Sequence, residues 1–132
     1  MCAEWDNGGL PVWLGLLPGI RFRELNAPWL DASRFWFRAV VAQLRHLFPQ
    51  SGGPIMLVQV ENELDGASDA YVDWCGDMAH EELSRANVSV PVVMCNGQSA
   101  ANTINSCNAR DCVKFLETNG ALPAHCRGLR WW

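Results

Sequence analysis

Apolar residues recur at helical spacing in the segment from residue 31 to residue 48. When apolar residues recur at every third or fourth position, they lie on one face of a helix, and this face can pack against a core. The residues of this face are Phe37, Val40, Val41, Leu44, Leu47 and Phe48. Arg34, Arg38 and Arg45 fall on the other side. The pattern predicts a helix over 31–48, with Asp31 or Ser33 as its N-cap.

A second apolar stripe predicts a helix over 69–86. The stripe consists of Val72, Cys75, Met78, Ala79 and Leu83. Ser68 or Asp69 is in place to cap the start of this helix, because a short polar side chain can accept a hydrogen bond from the first free backbone N–H groups.

Three short segments follow the pattern of strands. Residues 55–58 are all apolar, which is typical of a strand covered on both faces, and predict a strand over 55–61. A second buried strand is predicted at 91–95 and a third over 102–108. Strands that alternate with helices indicate an α/β fold with a parallel sheet. The link between Met94 and Thr103 is too short for a regular crossover helix, so either the link is irregular or one of the two strands is wrongly predicted.

Composition limits the class of protein. The chain has 132 residues, 49% of them apolar and 18% charged, which fits one packed domain. The net charge of −4 argues against nucleic acid as a partner. No apolar run is long enough to span a membrane, and no signal peptide is visible at the N-terminus.

The six cysteines leave their chemistry open. An even number permits disulfides, and Cys107 and Cys112 are close enough in sequence to bridge a loop. Cys95 follows the pattern of an apolar strand residue. A zinc site built from Cys107, Cys112, His125 and Cys126 is the less favoured alternative, because this spacing matches no standard zinc-binding motif. No metal or cofactor is predicted.

Carboxylates stand at predicted strand ends. Glu61 and Glu63 follow the apolar run at 55–58, while Glu4 and Asp6 follow what would be the end of an earlier strand. Ligands bind at the carboxyl ends of strands in parallel α/β folds. Paired carboxylates together with seven tryptophans suggest glycoside hydrolysis. The alternative is that the acids are ordinary surface residues and the tryptophans fill a core.

Four stretches carry a resemblance to a known family. They are "CAEWDNGGLPVWL", "PGIRFR", "GGPIMLVQVENE" and "VPVVMCN". Together they resemble the β-galactosidases of glycoside hydrolase family 35, and "YVDWCGDMA" and "INSCN" are most similar to the plant-type branch. The similarity covers residues 2–116. It departs from the family pattern at Leu64, where an aromatic residue is expected.

The resemblance implies a fold and a set of residue roles. It implies part of a (β/α)8 TIM-type barrel, roughly strands 3 to 6, and a retaining mechanism acting on β-galactosides without a cofactor. Glu63 matches the general acid/base and Asn62 the residue that binds the sugar 2-hydroxyl. The segment Cys2, Ala3 and Glu4 matches the part that contacts galactose. Glu61 is interpreted as a pairing partner inside the barrel. The full-length family is secreted, vacuolar or lysosomal.

Strand geometry places a condition on these roles. Strict alternation would point Asn62 and Glu63 to opposite faces, so both reach one ligand only if the strand twists or bulges at its end.

Residues 117–132 do not continue the family pattern. They are predicted to form a divergent tail after a barrel segment that covers residues 1–116. The family's nucleophile lies in a Trp-Thr-Glu stretch, and Glu117 lacks that context, so no nucleophile is assigned. The 132-residue chain alone is therefore expected to be inactive. A non-catalytic or vestigial carbohydrate-binding protein is the alternative.

Overall fold

In a computed structural model, the described residues are 6–64, 67–97 and 100–106, together with Cys112 and Lys114. Helix α1 spans Asp6–Gly9, α2 spans Ala27–Leu44 and α3 spans Asp69–Arg85. Strand β1 spans Val58–Leu64, β2 spans Val92–Gly97 and β3 spans Ile104–Ser106. Short 3-10 turns occupy Val12–Leu16, Arg45–Leu47 and Pro49–Ser51. Within these described ranges, no helix is both long and apolar enough to cross a membrane.

The three described strands form one parallel sheet. Their spatial order is β1-β2-β3, and both neighbouring pairs run parallel. This confirms the predicted α/β class, with α3 as the helical crossover from β1 to β2. The short link from β2 to β3 contains no helix in its described part, residues 100–103. Both predicted strands exist, and the described part of the link between them is irregular.

Helix α2 begins earlier than its apolar pattern predicts. The N-cap is Asn26, whose side-chain oxygen accepts a hydrogen bond from the Trp29 N–H at 3.3 Å. Pro28 fits the first turn because the N–H that it lacks would have no partner inside the helix. The predicted caps, Asp31 and Ser33, lie inside the helix, so that part of the prediction is wrong.

Strand β1 begins three residues later than predicted. The Ile55 N–H donates to the Leu47 carbonyl oxygen at 3.0 Å, which ties this segment to the 3-10 turn after α2 and not to the sheet. Sheet pairing begins where the Val58 N–H donates to the Pro91 carbonyl oxygen at 3.0 Å. Met56 and Leu57 are 76% and 53% exposed, so the expectation that both faces of this run are covered is wrong for these two residues.

Helix α3 follows its prediction closely. The Ser68 hydroxyl oxygen accepts a hydrogen bond from the Tyr71 N–H at 3.3 Å and caps the helix. All five residues of the predicted stripe are buried. Four of them, all but Met78, form a core with residues of the sheet and of α2, which include Val41, Val60, Val92 and Met94. Cys95 is buried in β2 as predicted and, like Cys75, is a free thiol, whereas Cys112 is disulfide-bonded.

A buried carboxylate joins the two long helices. The Glu82 side chain on α3 is fully buried and accepts hydrogen bonds from Arg38 Nε and Nη2 of α2 at 2.7 and 2.8 Å. Arg34 Nη1 donates to the same carboxylate at 3.1 Å. These hydrogen bonds lower the pKa of Glu82 to about 2, although burial acts against that shift. The paired carboxylate thus stays charged while it lies between α2 and α3.

Candidate active site

A β-bulge interrupts β1 near its carboxyl end. Gln59 pairs with Val93 and Asn62 with Cys95, so two residues of β1 lie opposite one residue of β2. An extra residue in one strand bends it and shifts which side chains face each way. A bulge is therefore present near this strand end, but it precedes Asn62, and pairing is regular from Asn62 to Leu64. That Asn62 and Glu63 both reach one ligand stays a prediction.

Two residues at this strand end have left-handed backbone conformations. Glu61 has a φ of 53° and Glu63 a φ of 52°, so both residues that flank Asn62 lie in a region that favours glycine. A residue with a Cβ atom occupies this region at a cost of roughly 1–2 kcal/mol. The surrounding contacts must therefore hold the strand end in place.

The Glu61 carboxylate is the centre of those contacts. One oxygen accepts hydrogen bonds from Arg23 Nε at 3.1 Å and Nη2 at 2.7 Å. The other accepts from the Tyr71 hydroxyl at 2.7 Å, and that hydroxyl accepts from Trp29 Nε1 at 3.0 Å. Burial, followed by the charge of Glu61, raises the pKa of Tyr71, so its hydroxyl keeps the proton that it donates. The predicted pairing of Glu61 is confirmed, with Arg23 as the partner.

Asn62 is held through its backbone as well as its side chain. Its carbonyl oxygen accepts from Arg23 Nη2 at 2.7 Å, and its N–H donates to the Glu61 carboxylate at 3.3 Å. The side-chain oxygen accepts from Gln59 Nε2 at 2.9 Å, and the same amide also donates to the Glu61 carbonyl oxygen at 3.2 Å. Arg23 and Gln59 therefore contact the bulged segment at different atoms.

An open cleft lies beside this strand end. Its volume is about 600 Å³. The lining residues come from the loop before α2 and from the segment between β1 and α3: Arg21, Phe22, Arg23, Glu24, Leu25, Leu64, Ala67 and Ser68. Glu63 is exposed and precedes Leu64, whereas Val60 at the start of the bulge is buried. The strand thus passes from the core to a solvent-accessible surface within four residues, from Val60 to Glu63.

Comparison of the sequence with known proteins agrees with the observed fold. The family model described as "Glycosyl hydrolases family 35" matches residues 1–125. The chain belongs to this family. A relative in Dictyostelium discoideum, "Probable beta-galactosidase 2", is 33% identical over 126 residues, and the match covers 90% of this chain. The chain spans only 16% of that relative. The family 35 fold is a TIM barrel, and the parallel β1-β2-β3 sheet agrees with part of one.

The predicted family 35 site residues fall into two groups. Asn62 and Glu63 are consecutive residues after the bulge of β1; the next residue, Leu64, lines the cleft, whereas these two are not among its lining residues. Cys2, Ala3 and Glu4 lie outside the described residues, so their position near Glu63 stays a prediction. Of the alternative zinc set, Cys107, His125 and Cys126 also lie outside them. Within the described ranges, no cluster of three or more His, Cys, Asp or Glu residues is arranged to hold a metal ion.

Sequence reasoning missed three residues of this site. Arg23 and Tyr71 donate hydrogen bonds to Glu61, and Trp29 donates one to the Tyr71 hydroxyl, but none of the three was given a role. One signal was present, because Arg23 ends the "PGIRFR" stretch that carries part of the family resemblance. Tyr71 is the single tyrosine of the chain and lies on the apolar face of α3 next to Val72. It therefore had the pattern of an ordinary core residue.

Proposed function

We propose that the complete gene product containing this chain is a retaining β-galactosidase that releases terminal β-D-galactose. Membership of family 35 over residues 1–125 is the observation that carries the proposal. The Dictyostelium relative, named as a probable β-galactosidase, supports the same substrate class. Part of a (β/α)8 barrel, roughly its strands 3 to 6, is the fold proposed for this chain.

Glu63 is proposed as the general acid/base. It is the last residue of "ENE", lies near the carboxyl end of a parallel strand, is exposed, and directly precedes Leu64, which lines the cleft. As the acid, its carboxyl group would protonate the glycosidic oxygen as the bond to galactose breaks. As the carboxylate, it would then take a proton from the water that releases galactose. The second carboxylate required by a retaining mechanism is not assigned to any residue of this chain.

Asn62 is proposed to bind the 2-hydroxyl of galactose. Hydrogen bonds to this hydroxyl strengthen in the transition state of glycosidases, so an oriented amide at this point would accelerate the reaction. The Asn62 side-chain oxygen accepts a hydrogen bond from Gln59 Nε2 at 2.9 Å, and the proposed contact with the sugar is a hydrogen bond donated by the Asn62 NH₂ group. Cys2, Ala3 and Glu4 are proposed to contact the sugar ring, on the basis of the resemblance alone.

The replacement Glu63→Gln in the complete gene product tests the role of Glu63. An aryl galactoside with a good leaving group needs little proton assistance, whereas a natural galactoside depends on it. We expect kcat/KM to fall by roughly 100-fold or more on a natural galactoside and by less than about tenfold on the activated one. Steady-state kinetics on both substrates measures this difference.

A matched control is Glu81→Gln. Glu81 is exposed on α3 and pairs with Arg34 at 2.5 Å, away from the strand end, so both rates should stay near the wild-type values. Equal loss on the two substrates with Glu63→Gln would show that Glu63 is not the acid.

A further inference from the structure

Two consecutive peptide units at the end of β1 are fixed by one arginine and one carboxylate. Arg23 Nη2 donates to the Glu61 carboxylate at 2.7 Å and to the Asn62 carbonyl oxygen at 2.7 Å. The same carboxylate accepts from the Asn62 N–H at 3.3 Å. Both polar groups of the Asn62 backbone are thus bonded to the Arg23–Glu61 pair.

The Arg23–Glu61 pair is also partly shielded from solvent. The Glu61 side chain is only 12% exposed, and the Arg23 side chain is 40% exposed. The Tyr71 hydroxyl binds the second oxygen of Glu61 at 2.7 Å, and Tyr71 is itself 2% exposed. Arg23 comes from the loop before α2, with a left-handed φ of 58°, and Tyr71 comes from α3. Two separate parts of the chain, the loop before α2 and helix α3, therefore fix the carboxylate of a residue in β1.

This arrangement explains how a strained strand end keeps one shape. Glu61 and Glu63 both have left-handed φ values, and Asn62 lies between them. Conformations of this kind persist when the surrounding contacts over-determine them. The contacts made by Arg23 and Tyr71 act on Glu61 and Asn62, directly before the exposed Glu63.

We propose that Glu61, held by Arg23 and Tyr71, is a positioning residue that orients the Asn62 amide toward the substrate. This inference rests on the proposed function, because it assumes that Asn62 binds the sugar 2-hydroxyl. Glu61 takes no part in proton transfer. Its carboxylate sets the backbone conformation of the bulge, and the bulge sets the direction of the Asn62 side chain.

The test uses the complete gene product and two aryl β-galactosides with the same good leaving group, one of them 2-deoxy. Glu61→Gln keeps the size of the side chain but replaces one accepting oxygen by an NH₂ group, which cannot accept from Arg23 or Tyr71. We expect kcat/KM on the ordinary galactoside to fall about 10- to 100-fold. On the 2-deoxy substrate the fall should be less than about threefold, because the contact that depends on Asn62 is already missing.

A purely structural role of Glu61 would lower both rates by the same factor. Glu82→Gln is the matched control, since Glu82 is also a buried carboxylate bonded to arginines but lies between α2 and α3. This control should lower the thermal midpoint and leave kcat/KM on both substrates unchanged when assayed well below that midpoint. Equal losses on the two substrates with Glu61→Gln would overturn the inference.

The proposed function can fail separately from this inference. For Asn62→Ala, too, kcat/KM should fall much more on the ordinary substrate than on the 2-deoxy substrate. If it does not, the role assigned to Asn62 is wrong. If Asn62→Ala shows the difference and Glu61→Gln does not, only the positioning role is wrong.

If Glu61→Gln folds poorly, or if its activity is too low to measure, a milder substitution and crystal structures test the inference instead. Tyr71→Phe removes a single hydroxyl, and we expect the same substrate-dependent loss at roughly three- to tenfold. In a crystal structure of Tyr71→Phe or Glu61→Gln, we expect the Asn62 side chain to change direction and the Arg23–Asn62 hydrogen bond to be lost or lengthened. An unchanged strand end in these structures would contradict the inference.

Discussion

At the scale of single residues, Glu82 shows how a position on a helix face acquires a partner. The apolar pattern of α2 assigned Arg34 and Arg38 only to the polar side of that helix. In the structure, both arginines donate to Glu82 of α3, whose side chain is fully buried. The carboxylate is stable there because several charge-assisted hydrogen bonds replace its hydration.

Glu82→Gln in the complete gene product should be destabilising at neutral pH by about 1–3 kcal/mol, since a hydrogen bond to a charged group contributes that much. The effect should depend on pH. The folded-state pKa of Glu82 is about 2, below its ordinary value of 4.5, so the ionised form is the one that folding stabilises. The contribution is complete above about pH 5 and is lost as pH falls through the folded-state pKa.

Thermal midpoints of wild type and Glu82→Gln, recorded from about pH 7 down to the lowest pH at which both stay folded, measure this change. The difference between the two should be largest near neutrality and should shrink in acid. Glu81→Gln, at an exposed neighbour, serves as the control and should shift the midpoint little at any pH. A difference between wild type and Glu82→Gln that stays constant over the whole range would contradict the assignment.

At the scale of elements, two adjacent glycines shape the passage from α2 to β1. Gly52 has a left-handed φ of 81° with open space around it. Gly53 lies against the backbone of Leu47, and a Cβ atom added there would overlap the Leu47 carbonyl group. The Gly53 N–H also donates to the Phe48 carbonyl oxygen at 3.0 Å. One glycine is thus required by backbone conformation and the other by space.

The two glycines should respond differently to substitution in the complete gene product. Gly53→Ala should cost roughly 2–4 kcal/mol, because the backbone on both sides must move apart. Gly52→Asn should cost less than about 1 kcal/mol, since asparagine tolerates the left-handed region better than other residues with a Cβ atom. Thermal midpoints and soluble yield of the two variants give the comparison. A larger loss of stability for Gly52→Asn than for Gly53→Ala would contradict the close approach of Gly53 to the Leu47 backbone.

At the scale of the whole molecule, large apolar side chains lie exposed among the described residues. Those more than half exposed are Val12, Trp13, Leu16, Phe35, Trp36, Met56, Leu57 and Ile104. Strands β1 and β3 each pair with one neighbour, so among the described residues each has one edge without a partner strand. Exposed apolar patches and open sheet edges promote association between molecules.

The 132-residue chain expressed alone should therefore be poorly soluble. We expect it to bind a hydrophobic dye such as ANS and to unfold without a sharp cooperative transition. Size-exclusion chromatography and differential scanning calorimetry at low concentration check these properties. A compact monomer with cooperative thermal unfolding would contradict this expectation.

The same chain should not measurably hydrolyse an aryl β-galactoside. An acid/base without its nucleophile cannot form the glycosyl-enzyme intermediate, and loss of one catalytic group commonly costs several orders of magnitude in rate. Turnover near the rate of a full-length family member would show that this chain does contain a nucleophile. Binding of galactose without turnover would favour the alternative of a non-catalytic carbohydrate-binding protein.

The sequence by itself determined the features that depend on near neighbours. The apolar stripe of α3 and its Ser68 cap could be predicted because helix packing and capping act over three to four residues. The parallel sheet followed from the alternation of helices and strands. The family, and with it the roles proposed for Asn62 and Glu63, followed from short motifs that stand contiguously in the chain.

Only the tertiary structure decided where β1 begins, how it ends and what surrounds Glu61. The start of β1 depends on the hydrogen bond between Ile55 and Leu47, and its end depends on a bulge that is visible only in the register with β2. Arg23 is 38 positions from Glu61 in sequence. No local periodicity encodes such a pair. The two residues meet only because the fold places the loop before α2 beside the end of β1.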